Sequence, residues 1–469
     1  MPSPEENNTP STTSESEEGD PIAQEPSPQD TKGRIRRILT IAVPIVGGMA
    51  SQNILNLVDT GMVGTQGKAA LAAVGLSSFV NFMCVAGLTG LSSGVQAMAA
   101  RRLGEGRTSE TAIPLNGGLL LAIGLGLPMC VVAFWAAPHF YPLLNDDPAV
   151  IAEGVPYLQA RLVGMIAVAM NFSFRGYFNG INKSAIYFRT LVIMHIANVA
   201  ISYCLIFGKL GLPELGATGA GIGTTISIFI GSTMYILMAL KIARKNGFLR
   251  GLPDKDTMRT MLHLAIPSAI QQTFFAGGFV TLFKIIGLVG TTALAGANVV
   301  LTISMVAYLP ALGLGLAGAS LVGQSLGRGE PEDAKRWGFN VAAIGVVLLG
   351  LLGLPMALFP EWILGLFIHE QGPIDIAILP LRIAGMTLWI DGVGMVMMNQ
   401  LFGAGDAKRV ALVTISLQWL FFLPLAYFVG PVWGQGLIGI WLLQIGYRSV
   451  QSGILLRLWV GGKWQSIRV

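Results

Sequence analysis

Long uninterrupted runs of apolar residues, separated by short polar connections, dominate the chain. A helix needs about 20 apolar residues to cross a bilayer core of roughly 30 Å. Twelve runs reach that length: about 38–63, 70–98, 114–137, 155–178, 186–208, 216–240, 261–286, 293–324, 338–360, 377–403, 410–430 and 434–460. Small-xxx-small patterns rich in glycine permit close helix packing. The pattern predicts an all-α polytopic membrane protein with 12 transmembrane helices.

Composition agrees. Of the 469 residues 53% are hydrophobic and 12% charged, with mean hydropathy +0.64, whereas soluble domains carry roughly 25% charged residues. The first 30 residues hold eight of the 25 acids and no Lys or Arg. Such a segment cannot bury a core, so 1–33 is expected to be a disordered acidic tail. It has neither the basic start nor the apolar segment of a signal peptide. Excluding those 30 residues leaves 17 acids against 30 bases, so the body carries about +13. Cys84, Cys130 and Cys204 fall in apolar runs without ligand spacing and read as buried small hydrophobes.

Lys and Arg set the orientation. One set of connections, from Lys32, Arg34, Arg36 and Arg37 through 241–259 to Arg457, Lys463 and Arg468, holds 24 of the 30 bases. Both termini are then cytoplasmic, in a bacterial inner membrane. The chain also repeats at an offset of 223 residues: "LTIAVPIVGG" matches "LHLAIPSAIQ", placing Pro44 on Pro267, and "RRLGEGR" at 101–107 falls on "QSLGRGE" at 324–330. At offset 225, Gly180 and Lys183 pair with Gly405 and Lys408. Two parallel six-span halves follow, 34–245 and 261–460, joined by a linker at 246–260 and followed by a tail at 461–469, with the substrate site expected between the halves.

Ionisable residues inside spans are expensive and mark ion or substrate pathways. Asp391 is the one body acid deep in a span; Asp59 lies about four residues inside the first. Gln52, Asn56 and Asp59 share a helical face directed into the bundle, and Pro44 removes a backbone hydrogen bond upstream of them. Thr387, Asp391, Met395 and Asn399 form a second face spaced by four, with Met386, Met397 and Met398 nearby as polarisable contacts for flat cations or as packing filler. Asn198, Ser202, Thr224, Thr225, Gln271 and Gln272 are further polar positions within spans, and His195 reads either as a proton relay or as a structural histidine. "GLGLAG" at 313–318 lacks the preceding strand that nucleotide binding requires, and "HEQG" at 369–372 lacks the second histidine of a zinc motif. No catalytic constellation is present in the sequence, which argues against an enzyme.

Taken in order, "AVPIVGGMASQNILNLVDTGMVG", "QAMAARRLGEGR", "GASLVGQSLGRGE", "FGKLGLPELGATGAGIGTT" and "DGVGMVMMNQLFGAGDAKR" resemble the multidrug and toxic compound extrusion (MATE) family, over about residues 35–460. The resemblance implies two six-helix lobes forming a V-shaped cavity, and export of organic cations or drugs by alternating access in exchange for H⁺ or Na⁺, with no other cofactor. It places Asp59 on the first-helix acid of the DinF-type branch, with Pro44 as the bending proline and Asn198 and Thr224 as polar companions. Where archaeal members of that branch carry a fifth-helix acid, this chain has Ser202. Asp391 matches the tenth-helix aspartate of the NorM-type branch, whose seventh-helix glutamate is Phe275 here, with Gln271 and Gln272 nearby. The coupling set so implied is Asp59, Asp391, Asn198 and Thr224. The supporting cavity set is Gln52, Asn56, Ser202, Gln271, Gln272, Thr387, Met395 and Asn399, with no metal beyond Na⁺. Small amphipathic cations and membrane lipid are the expected partners, nucleic acid is not, and a monomer suffices. The alternative, a lipid-linked saccharide flippase of the related superfamily, calls for bases inside the first lobe, where acids stand instead.

Overall fold

The computed structural model describes residues 30–367 and 371–469. Every described span is helical, because a backbone inside hydrocarbon has no water to bond and must satisfy its own N–H and C=O groups. The N-terminal half comprises α1 (Thr31–Gly64), α2 (Lys68–Ala86), α3 (Gly90–Gly104), α4 (Ile113–Phe140), α5 (Pro148–Val163), α6 (Met165–Gly180), α7 (Ser184–Ile206) and α8 (Gly216–Ile242). The C-terminal half comprises α9 (Lys255–Val289), α10 (Thr291–Gly327), α11 (Pro331–Leu358), α12 (Pro360–Gly365), α13 (Gln371–Ala404), α14 (Ala407–Ser416), α15 (Leu423–Tyr427) and α16 (Gly436–Val460).

All twelve predicted runs coincide with helical segments. A 3₁₀ turn at Gly87–Thr89 joins α2 to α3, and α5 and α6 meet at a 44° bend around Gly164. Two π-helical stretches, Leu417–Phe422 and Phe428–Val432, flank α15. Among the described residues ten helical stretches are long and apolar enough to cross a membrane, and the α5–α6 pair makes eleven. The remaining one, α16, has the length at 25 residues, but Gln444, Arg448 and Gln451 lower its hydropathy; it packs against α13, its Ser452 hydroxyl donating to Ile390 O at 2.9 Å. The first and seventh spans begin earlier than their apolar runs, at Thr31 and Lys255, because short basic segments continue each helix. Asp30 caps α1 by accepting from the Gly33 amide at 2.8 Å, which takes Thr31–Gly33 out of the expected tail. Residues 1–29 of that tail, and His369 and Glu370 of "HEQG", lie outside the described residues.

Reciprocal contacts between the halves show the repeat in three dimensions. A Cβ on Gly90 would overlap Ala265 O, and one on Gly313 would crowd Val46 and approach Ala42 O, each residue being the other's counterpart at the 223-residue offset. Likewise a Cβ on Gly104 would overlap Gln324 O, and one on Gly327 would overlap Arg101 O. Such mutual contact requires a pseudo-twofold axis between parallel lobes. At Gly90, Gly104 and Gly327 glycine is needed because backbone meets backbone there.

One apolar cluster joins the lobes, combining Ile38, Ile41 and Val95 with Leu314, Leu321 and Trp337, and with Trp459 and Trp464 near the C-terminus. Other clusters stay within a single lobe: one around Ile286, Val300 and Leu388, another around Leu91, Leu158 and Met165. The lobes therefore touch at the end bearing both termini and separate toward the other, which forms the V. Polar contacts at the joined end reinforce it. Gln96 Nε2 donates to Leu316 O at 2.7 Å and Ser320 Oγ at 2.9 Å, and Gln324 exchanges amide hydrogen bonds with Asn182 at 3.0 Å. Arg34, 1% exposed, pairs with Asp333 at 2.6 Å and lies over the Trp337 ring at 3.8 Å.

Candidate functional site

Each lobe holds one intramembrane carboxylate, in different company. On α1, Gln52 Nε2 donates to Asn56 Oδ1 at 3.2 Å, as expected for neighbours one turn apart. His195 on α7 turns its Nε2 to Gln52 Oε1 at 3.1 Å, so this polar face is directed at α7. Farther along the same pair of helices, Asn198 faces Asp59, and Arg161 of α5 acts on that carboxylate through space. Asp59 Oδ1 and Asn198 Nδ2 are both buried, and neither makes a hydrogen bond within the described protein. Asn198 Oδ1 is occupied, accepting from Ser202 Oγ at 3.0 Å. Gly223 of α8 lets that helix approach Ser202, since a Cβ there would overlap Ser202 Oγ. Thr224 is buried, but its hydroxyl donates to Ala220 O on its own helix at 2.8 Å.

The C-terminal lobe differs. Asp391, 8% exposed, accepts from the Tyr308 hydroxyl at 3.0 Å through Oδ2. Its Oδ1 lies 3.5 Å from Arg448 Nε on α16. With Thr387, Ser304 and Gln444 these groups line a small cavity of about 20 Å³, roomy enough for a single water-sized guest. Gln444 Oε1 is buried there without a hydrogen-bond partner.

The structure thus gathers Gln52, Asn56, Asp59, Asn198 and Ser202 along the α1–α7 seam, with Thr224 on the neighbouring helix, and places Asp391 with Thr387. Other expected members stand apart. Met395 belongs to the apolar core of the C-terminal lobe, and the Asn399 amide donates to Met395 O at 2.9 Å while packing on Gly315. Gln271 is buried on α9 with an unpartnered Oε1, whereas Gln272 is partly exposed; neither lines the Asp391 cavity. Phe275 packs edge-on against Phe279 at 5.0 Å, filling its position with an apolar contact. Pro44 and Pro267 both lie inside continuous helices. Tyr308 and Arg448 were missed as partners of Asp391. Tyr308 carries no charge to flag it, and nothing in the sequence says which carboxylate Arg448 meets. Cys84, Cys130 and Cys204 are free.

Comparison with known proteins identifies the family. The MatE family model matches residues 44–204 and 267–428, once in each half and each time from the repeated proline. The chain is 26% identical over 449 residues to the "Probable multidrug resistance protein NorM" of Thermotoga maritima, covering 93% of this chain and 95% of that protein. It is 28% identical over 438 residues to the protein of that name from Synechococcus sp., covering 91% and 94%. Among solved structures it superposes with a TM-score of 0.85 at 21% identity on the "outward-facing conformation of a multidrug resistance MATE family transporter", covering 93% of this chain and 97% of that one. A MATE crystal structure in the straight conformation gives 0.84 at 21% identity, covering 91% and 96%. The two-lobed helical fold, the internal repeat and the family match on both halves agree: the chain belongs to the MatE family of multi-pass membrane transporters, which are not enzymes.

Proposed function

We propose that this protein is a secondary active antiporter that exports amphipathic organic cations or drugs in exchange for H⁺ or Na⁺, with Asp59 as its coupling carboxylate. The relatives named as probable multidrug resistance proteins supply the substrate class. The observation that carries the assignment to Asp59 is its buried Oδ1, an acceptor without a hydrogen bond within the described protein, beside an Asn198 held by Ser202. A buried carboxylate oxygen without a donor is costly, so a cation or proton that binds it does so with differential free energy. Asp391 Oδ1 likewise makes no hydrogen bond, but Arg448 at 3.5 Å already offsets its charge and Tyr308 donates to its other oxygen, so it has less to gain from a further cation.

Most Lys and Arg residues lie in connections at the end where the lobes meet, which orients that end and both termini to the cytoplasm and the open cleft outward. On the outer half of α1, Asn53, Asn56, Leu57 and Thr60 are exposed. In this arrangement the ion enters Asp59 from outside and favours the conformation that has released substrate. Coupling follows because ion and substrate bind the two conformations unequally. A single chain supplies both lobes, so a monomer suffices, and the carboxylate-bearing lobe interior suits a cation better than an anionic lipid-linked saccharide.

The test is ethidium transport in proteoliposomes under separately imposed pH and Na⁺ gradients. Wild type should respond to one gradient, which names the ion, and folded Asp59→Asn should lose that response. Full gradient-driven transport by Asp59→Asn, with failure only of Asp391→Asn, would move the coupling site to the C-terminal lobe.

A further inference from the structure

On the flank of the C-terminal lobe, α9 and α14 enclose an open groove of about 920 Å³. Its floor is apolar, formed chiefly by Leu262, Ile266, Ile270, Leu412 and Ile415, of which Ile266, Ile270 and Leu412 are 51%, 44% and 67% exposed. Its mouth, at the end of the molecule bearing the termini, carries Lys255, Arg259 and Lys408, all exposed, and no lining residue is acidic. Of the acids close by in sequence, Asp406 pairs with Arg409 at 3.2 Å, and Asp254 and Asp256 at the start of α9 do not line the groove. From residue 262 to 270 the floor extends about 12 Å along the helix, comparable to one leaflet of a hydrocarbon core of roughly 30 Å.

The internal repeat supplies a comparison within the same molecule. Its three bases recur in the other lobe, as Lys32, Arg36 and Lys183. There, however, aromatic rings occupy the space between the helices: Phe188 packs on Gly47 and Tyr187 on Gly48. The counterparts of Gly47, Tyr187 and Phe188 are Ile270, Leu412 and Val413, so the C-terminal lobe carries the same charges without the aromatic filling.

We propose that this groove is a binding site for one anionic phospholipid, its headgroup held by Lys255, Arg259 and Lys408 and an acyl chain lying along Ile266, Ile270 and Leu412. Basic pockets between helices at a membrane surface select anionic headgroups by charge, and the three cations repel the organic cations proposed as cargo. Pro267 lines the groove, so a bound lipid touches α9 at the point where its backbone hydrogen bonding is interrupted. Nothing in this site depends on which carboxylate couples transport.

The experiment is native mass spectrometry of the full-length protein released from nanodiscs containing equal phosphatidylglycerol and phosphatidylcholine. Wild type should retain one phosphatidylglycerol in preference to phosphatidylcholine. Lys255→Gln/Arg259→Gln/Lys408→Gln should bind it roughly a hundredfold more weakly, at the usual contribution per base. Lys32→Gln/Arg36→Gln/Lys183→Gln should retain it. Leu412→Trp, which keeps every charge but fills the floor, should expel it and guards against misfolding of the triple variant. Equal retention of the two lipids by wild type overturns the proposal, as does undiminished phosphatidylglycerol binding by the triple variant or by Leu412→Trp.

Discussion

Asp391 and Arg448 illustrate how a single buried charge depends on its partner. Removing one member of a buried ion pair typically costs about 3–5 kcal/mol, because the other charge is left uncompensated. Arg448→Gln should therefore lower thermal stability markedly, since Asp391 is 8% exposed and would retain only the Tyr308 hydroxyl. Asp391→Asn/Arg448→Gln should recover most of that loss, the two effects being coupled through one contact. Thermal unfolding in detergent checks this: strictly additive losses would mean that the 3.5 Å approach carries no interaction energy. At the joined end, Arg34→Gln should also destabilise, but by less, since it removes the stack on Trp337 while Asp333 keeps Arg328 at 3.6 Å and the Ser325 hydroxyl at 3.1 Å. A shift in melting temperature within error of zero would count against that.

At the scale of helices, the seam between α3 and α10 depends on glycine. A Cβ at Gly104 would overlap the Gln324 carbonyl, which is backbone and cannot rotate aside. Gly104→Ala should cost this closed arrangement about 1–3 kcal/mol, the usual range for overpacking. Labelling of a cysteine introduced at Ala100 should then become faster, as the joined end opens more often. Gly61→Ala is the control, because a Cβ there meets nothing within 4 Å. Unchanged labelling in Gly104→Ala would show that the helices absorb the methyl group without separating.

The molecule as a whole works only if the joined end can open. An ideal Cβ on Gly94 lies 3.4 Å from Ala265 Cβ across the lobes, close to the separation a disulfide spans. In a background lacking Cys84, Cys130 and Cys204, oxidised Gly94→Cys/Ala265→Cys should stop transport while still binding substrate, and reduction should restore turnover. Transport by the fully oxidised protein would rule out separation of the lobes at this seam as part of the cycle.

Much of this architecture was legible in the chain itself. Apolar runs of bilayer length have one structural solution in hydrocarbon, so the helices and their number followed from composition and spacing. The offset that places Pro44 on Pro267 and Gly104 on Gly327 implied two parallel lobes, because matching segments fold alike. Asp59 and Asp391 stood out because charge is rare at such positions. Pairing was decided only by tertiary structure. Whether a polar face is satisfied depends on which helix lies opposite, and helical periodicity names a face but not its neighbour. The sequence therefore could not reveal that Arg448 and Tyr308 reach Asp391, or that Asn399 and Met395 turn to packing. Nor could it show that Phe188 fills one lobe's flank while the matching flank of the other lies open, since that contrast depends on the volume left between helices distant in sequence.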